Sequence, residues 1–260
     1  VAAPHSVSII IPSYGRPNAL RGYKYFRTAR YVVPKSQAAA YRKTVAKNRL
    51  IVIPDSADGN IAKKRNWILR NIPRPILMLD DDVSRLVMTE GRYDQEGKFT
   101  GCAEKIPLTP EQAMEVITQG FNLAHQWGCV LWGVNLNTDG RNYQQYRPFS
   151  LTNPILGPLA GHLEHGLFYD ERLPFKEDYD FSLQVLNKHR KALRLNKFAY
   201  DCDHGDNRGG VVSIRTWELE ASNCRAIERK WGRQIISYPL EPKKMIDLLN
   251  GRVNVPIAGV

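Results

Sequence analysis

Asp80-Asp81-Asp82 is the tract whose chemistry is easiest to read from residue type. Carboxylates packed this closely repel one another, and they persist where a divalent cation neutralises them. Their oxygens are hard ligands suited to Mg²⁺ or Mn²⁺, ions that bridge a diphosphate. An acidic loop on a solvated surface is the competing reading. The tract sits at the exit of the apolar run Ile76–Leu79, a poor place for three idle charges. A second tract, Phe175-Lys176-Glu177-Asp178-Tyr179-Asp180, puts acidic residues at a helix start. Backbone amides there can hold a carboxylate in place as a general base. Plain helix capping by Asp or Glu explains the same pattern and stays open. A third tract, Gly59-Asn60-Ile61-Ala62-Lys63-Lys64-Arg65-Asn66, combines a glycine turn, a helix start and basic side chains. It suits a diphosphate- or base-binding segment. A solvated basic helix face accounts for it nearly as well.

These tracts need a scaffold that gathers strand exits in one place. Residues 7–12 form a β-branched run stopped by Pro12, and short apolar runs follow at 30–33, 50–53 and 76–79. Helices are expected between them at 36–47 and 60–71, the latter amphipathic. Continuous apolar strands alternating with helices imply a parallel sheet covered on both faces. Ligands of such sheets gather at the carboxyl ends of the strands. Ser13, Tyr14 and Arg16, then Asp55, then Asp80 to Asp82 all fall there. Further on, Thr109-Pro110-Glu111-Gln112 reads as a capping box with proline at the first helical position, and the helix should run to about Trp127. A strand is expected at 129–134, a long surface excursion at 137–158, a helix at 175–190 and a strand at 192–200. A helix at 214–231 and a short one in the tail complete the pattern.

Composition sets broader bounds. At 43% hydrophobic residues the chain can bury a core. No apolar run approaches the roughly 20 residues needed to span a bilayer, and no secretory leader is read, so a soluble, cytoplasmic protein without a membrane partner is expected. The four cysteines form no CxxC pair, which argues against a zinc ribbon and favours a reducing compartment. Lys and Arg number 37 against 26 Asp and Glu, a surplus of +11 that attracts polyanions. Nucleic acid and small phosphorylated ligands both fit that surplus. No feature of the sequence sets an oligomeric state.

Taken in order, the tracts resemble the nucleotide-sugar glycosyltransferases of GT-A fold over roughly residues 5–205. Ile11-Pro12-Ser13-Tyr14-Gly15-Arg16-Pro17 looks like their donor-nucleotide loop, and Gly59 through Asn66 like their Gly…Arg-Asn segment. Leu79 to Asp82 is similar to their D-x-D element, and Glu177-Asp178 to the pair that supplies the base of inverting members. The Gln-x-x-Arg-Trp element of processive polysaccharide synthases is absent. Within the fold, Leu77-Met78-Leu79-Asp80-Asp81-Asp82-Val83 and Lys176-Glu177-Asp178-Tyr179-Asp180-Phe181 look most like the TET-associated glycosyltransferases, phage enzymes acting on hydroxymethylated pyrimidines in DNA.

The resemblance implies an α/β Rossmann-like mixed sheet flanked by helices, with a core at 1–205 and a C-terminal helical extension at 206–260 packed on it. It implies a nucleotide-sugar donor, a UDP-sugar, held by Pro12, Ser13, Tyr14, Arg16, Asp55, Lys64, Arg65, Asn66, Asp80 and Asp81. A Mn²⁺ or Mg²⁺ ion would sit on Asp80 and Asp82, joined by His204, which lies where several GT-A enzymes place a late metal-binding histidine. Asp178, with Glu177 beside it, would activate the acceptor. That acceptor is expected to be 5-hydroxymethylcytosine in DNA, in the host cytoplasm if the protein is phage-encoded. Trp132, Tyr143 and Tyr146 are candidates for base stacking, and Arg141 and Arg147 for phosphate contacts. The same residues admit a soluble transferase with a protein, glycan or small-molecule acceptor. They also admit a non-catalytic nucleic-acid binder on this fold. A nucleotidyltransferase fits less well, because its long Gly-rich loop after the first strand is missing.

Overall fold

The computed structural model describes residues 7–136, 144, 146–202 and 215–257. Its centre is β1 (Ser8–Pro12), whose Ile9, Ile10 and Ile11 are all at most 2% exposed. A strand apolar at successive positions must be covered on both faces. Ile9 and Ile11 pack into one core cluster and Ile10 into another on the opposite face, as the two-residue period of a strand requires.

Around β1 lie β2 (Arg30–Pro34), β3 (Leu50–Ile53) and β4 (Ile76–Leu79), all parallel, in the order β3-β2-β1-β4. Beyond β4 the sheet becomes mixed. β9 (Leu159–His162) is antiparallel to both β4 and β7 (Leu131–Val134). β10 (Leu193–Leu195) runs parallel to β7, and β8 (Phe149–Ser150) closes the edge. α3 (Pro110–Gln126) covers one face with Ile117, Phe121 and Ala124. α2 (Ile61–Asn71) and α4 (Glu177–His189) cover the other with Ile68, Leu69, Phe181, Val185 and Leu186. This is the mixed, helix-flanked sheet of GT-A type. The α3 capping box is present, with Thr109 Oγ1 accepting from Gln112 N at 3.2 Å and Gln112 Oε1 accepting from Thr109 N at 2.9 Å.

Several elements differ from expectation. The helix expected at 36–47 is one short turn, α1 (Ala38–Tyr41). There the Thr44 hydroxyl donates to Pro17 O at 2.7 Å while Val45 turns into the core. Residues 83–107, which carry no clear element in the sequence, form a long hairpin of β5 (Val83–Tyr93) and β6 (Phe99–Pro107). The run expected as one strand at 192–200 divides between β10 and β11 (Phe198–Cys202), and β11 pairs with β5 in a separate three-stranded sheet. The 137–158 excursion is not all surface either, because Ile155 is 3% exposed.

After β11 come α5 (Trp217–Trp231), β12 (Ile236–Ser237), α6 (Met245–Leu249) and β13 (Arg252–Val253). Cys224, Ile227, Ile236, Tyr238 and Leu248 of this segment pack against Leu173, Tyr179 and Leu183. No described helix is long and apolar enough to cross a membrane.

Candidate active site

Pro12 ends β1, and Ser13 N donates to Val32 O at 3.0 Å, so bonding to β2 reaches the first residue of the loop. The Ser13 hydroxyl donates to the Asp81 carboxylate and lies 2.7 Å from Tyr41 OH. Arg16 Nη1 donates to the other Asp81 oxygen at 2.7 Å. Asp81 is therefore turned inward, 6% exposed, and ties the 13–16 loop to the acidic loop. Burial raises its carboxyl above the usual range, while Ser13 and Arg16 oppose that shift. Tyr14 takes the other course: it is 50% exposed, with its ring 5.4 Å from Lys64 Nζ.

Asp80 and Asp82 alternate with Asp81 and stay more open, their side chains 36% and 20% exposed. Asp80 Oδ1 receives Arg65 Nη2 at 2.8 Å. Asp82 Oδ2 lies 3.8 Å from Arg16 Nη1, while its buried Oδ1 has no hydrogen-bond partner among the described residues. Burial, reinforced by repulsion from Asp80, pushes the Asp82 carboxyl up to about 6. No group of three or more His, Cys, Asp or Glu able to hold a metal occurs among the described residues. His204 lies outside them.

α2 begins at the Asn60 cap, whose side chain accepts from Lys63 N at 2.8 Å. Its next residues are not a solvated basic face: Lys64, Arg65 and Asn66 are only 2%, 6% and 1% exposed. Lys64 Nζ donates to Ser13 O at 2.7 Å and pairs with Asp58 at 3.2 Å. Burial lowers its pKa, against the pull of Asp58. Arg65 spans two carboxylates, with Nη2 on Asp80 and Nη1 on Glu177 Oε1 at 2.9 Å, and it lies over the Tyr169 ring. Asn66 spends its amide on Tyr169 N, Tyr169 O and Glu171 Oε1, so its place is in the wall that fixes the 169–171 loop.

Glu177 and Asp178 open α4 and part company there. Glu177 is 8% exposed beneath Arg65; burial pushes its carboxyl up to about 8, with Arg65 working against the shift and Asp178 with it. Asp178 is half-buried, and its carboxylate accepts from Gly157 N at 2.9 Å and Tyr179 N at 2.7 Å. Gly157 is a site residue that the sequence reading passed over. It adopts φ +81°, and a Cβ on it would meet Tyr200 OH at 2.6 Å, so both backbone and space call for glycine. Pro158 O next to it accepts Asp80 N at 2.9 Å. One short loop thus ties Asp80 to Asp178. The Gly-Pro pair was its only signal in the sequence.

The remaining expected positions that are described make none of these bonds. Asp55, exposed at the end of β3, accepts from Ser36 N and Oγ at 2.9 and 2.7 Å, and those bonds lower its pKa. Trp132 cannot stack on a base. It is 0% exposed, and a Cβ on Gly161 would lie 2.0 Å from its Nε1, so the ring fills the gap over β9. Tyr146 is 89% exposed and borders a hollow at the hairpin tip with Tyr93, Lys98 and Phe99; Arg147 beside it is exposed too. Tyr143 and Arg141 lie outside the described residues.

No curated protein matches the chain. The model of the TET-Associated Glycosyltransferase family matches residues 7–210, a span that includes every strand exit and both acidic tracts of the site. With the mixed GT-A sheet and this carboxylate–arginine cluster at its strand ends, the chain belongs to the TET-associated glycosyltransferase family and is a glycosyltransferase.

Proposed function

We propose that the protein moves a sugar from a nucleotide-sugar donor, a UDP-sugar, to the hydroxymethyl group of 5-hydroxymethylcytosine in DNA, with Mn²⁺ or Mg²⁺ bound at Asp80 and Asp82. The observation that carries the reading is the division of labour among the carboxylates. Glu177 is buried under Arg65, whereas Asp178 is half-open and held by two backbone N–H groups at a helix start.

The donor set fits a divalent ion: two hard carboxylates, one with an orphaned oxygen, next to a loop suited to a diphosphate. Such an ion commonly takes one or two protein carboxylates and completes its shell with substrate phosphate and water. When bound, it supplies Lewis-acid stabilisation of the departing nucleoside diphosphate. The chain's own residues do the rest. Asp81, Arg16 and Ser13 hold the donor loop against the acidic loop, and Lys64 braces Ser13 from below. Arg65 keeps Asp80 and Glu177 in register. Asp178 takes the proton of the acceptor hydroxyl as the new bond from that oxygen to the sugar C1 forms. The bond from C1 to the diphosphate oxygen breaks, and its electron pair leaves with the nucleoside diphosphate. An open carboxylate at Asp178, with Glu177 buried beside it, supports one direct displacement, with inversion at C1.

DNA as acceptor draws its support from the +11 surplus and from the exposed Tyr146–Arg147 corner. The test is to incubate the protein with Mn²⁺, a panel of nucleotide sugars and DNA containing 5-hydroxymethylcytosine, then weigh the released nucleosides. A mass gain of one sugar on the modified cytosine is expected. Donor turnover without any gain on DNA would direct the reading to a protein, glycan or small-molecule acceptor.

A further inference from the structure

The residues that flank Glu177-Asp178 on α4 are all held by one segment that lies beyond the family-matched span. Lys176, 1% exposed, donates from Nζ to Glu220 Oε1 at 2.5 Å and to Leu248 O at 2.7 Å. Tyr179 OH accepts from Gly251 N at 3.3 Å. Asp180, 0% exposed, receives Trp231 Nε1 at 2.8 Å and Lys230 Nζ at 2.7 Å on Oδ1, while Gln184 of its own helix serves Oδ2. These donors and acceptors come from α5, α6 and the turn after α6. The family match ends at residue 210.

A segment that only covered α4 could do so with apolar side chains. Placing the charges of Lys176, Asp180 and Glu220 at 1% exposure or less is costly, and replacing such pairs by packed apolar groups is often neutral or stabilising. What directional contacts do provide is geometry. The first turn of α4 is gripped on both sides of Asp178, whose carboxylate must meet Gly157 N on one side and the acceptor on the other.

We propose that the 215–251 segment is a positioning clasp, in which Trp231 and Glu220 act through Asp180 and Lys176 to aim the Asp178 carboxylate. This rests on the reading of Asp178 as the base. Trp231→Phe keeps an aromatic side chain, smaller than the indole, and removes the N–H donor; Glu220→Gln keeps the shape and removes the charge opposite Lys176. With the nucleotide sugar that turns over in the donor panel and 5-hydroxymethylcytosine DNA, each variant should lower kcat about tenfold at unchanged donor KM. That lies within the roughly 10²-fold that a 1 Å misplacement costs. In an Asp178→Asn background the same substitutions should lower kcat no further, because the group they aim is gone. Amide exchange of residues 177–181 should quicken in Trp231→Phe while that of β1 and β4 does not. An equal fold-loss in both backgrounds, a rise in donor KM at unchanged kcat, or unaltered exchange at 177–181 overturns the clasp. Should Asp178→Asn alone keep full kcat, the base assignment falls, a result visible without either clasp variant.

Discussion

Asp82 keeps a buried oxygen without a hydrogen-bond partner among the described residues, on a carboxylate already repelled by Asp80. Removing it gives up a hydrogen bond to Cys202 but relieves that repulsion, so the apo fold should stand. Asp82→Ala is expected to unfold at the wild-type temperature or slightly above, to bind donor with no dependence on divalent cation, and to lose transfer. Calorimetric titration of the donor with and without Mn²⁺ reads this directly, and wild-type turnover from the variant would remove Asp82 from the metal site. Asp178 is set apart from its neighbour Glu177 by access, not by residue chemistry. Asp178→Asn should slow transfer by about 10²-fold or more, the usual loss for a general base, with donor and metal binding retained. If donor affinity collapses instead, Asp178 serves the donor pocket.

Between β9 and α4 a pair of buried histidines packs against Tyr169 and Phe181. His162 Nδ1 and His165 Nε2 are 3.3 Å apart, His162 Nε2 is 3.3 Å from Tyr169 OH, and the Tyr169 ring stacks on Phe181 at 4.3 Å. Burial holds His165 down to about 3 and His162 well below its ordinary value, so both are neutral in the fold. An unfolded chain protonates them near 6.5. Their contribution to stability is therefore complete above about pH 6.5 and is lost as pH falls towards 3, by up to about 1.4 kcal/mol per pH unit for each group. Because the raised carboxyls of Glu177 and Asp82 act with the opposite sign over this range, the reading is the difference between wild type and His165→Gln. In urea unfolding below pH 6.5 that difference should move against the wild type by up to about 1.4 kcal/mol per pH unit, and a pH-independent difference would assign the acid sensitivity to other groups. Because Tyr169 also lies under Arg65, acid loosening of this element should reach the Asp80–Arg65–Glu177 bridge.

For the molecule as a whole, the +11 surplus predicts binding to DNA that carries no hydroxymethyl group. Phosphate contacts position a duplex without reading it, and their release of counterions makes affinity fall steeply with salt. Fluorescence anisotropy with an unmodified duplex should show binding at low salt that is lost at moderately high salt, with transfer confined to hydroxymethylated DNA. Equal activity on free hydroxymethyl nucleosides, without salt-sensitive retention of DNA, would take the polymer out of the reaction.

Local signals were readable from the residues alone. The triple-isoleucine strand, the Thr109 capping box and the Asp80–Asp82 exit each depend on neighbours a few positions away, so their sequence determines them. The β5–β6 hairpin was not readable, because its exposed outer half weakens the alternation and its partner β11 lies about a hundred residues downstream. Nor could residue type alone divide the three aspartates. Arg16 and Ser13 draw Asp81 inward, and Arg65 meets Asp80 across a helix. Lys64 to Asn66 read as basic and polar whether solvated or buried, and only the packing of α2 on the sheet turned them in. The same holds for Trp132, an aromatic in sequence and a core plug in the fold. Burial is a property of what other segments bring close, and those contacts exist only once the chain has closed.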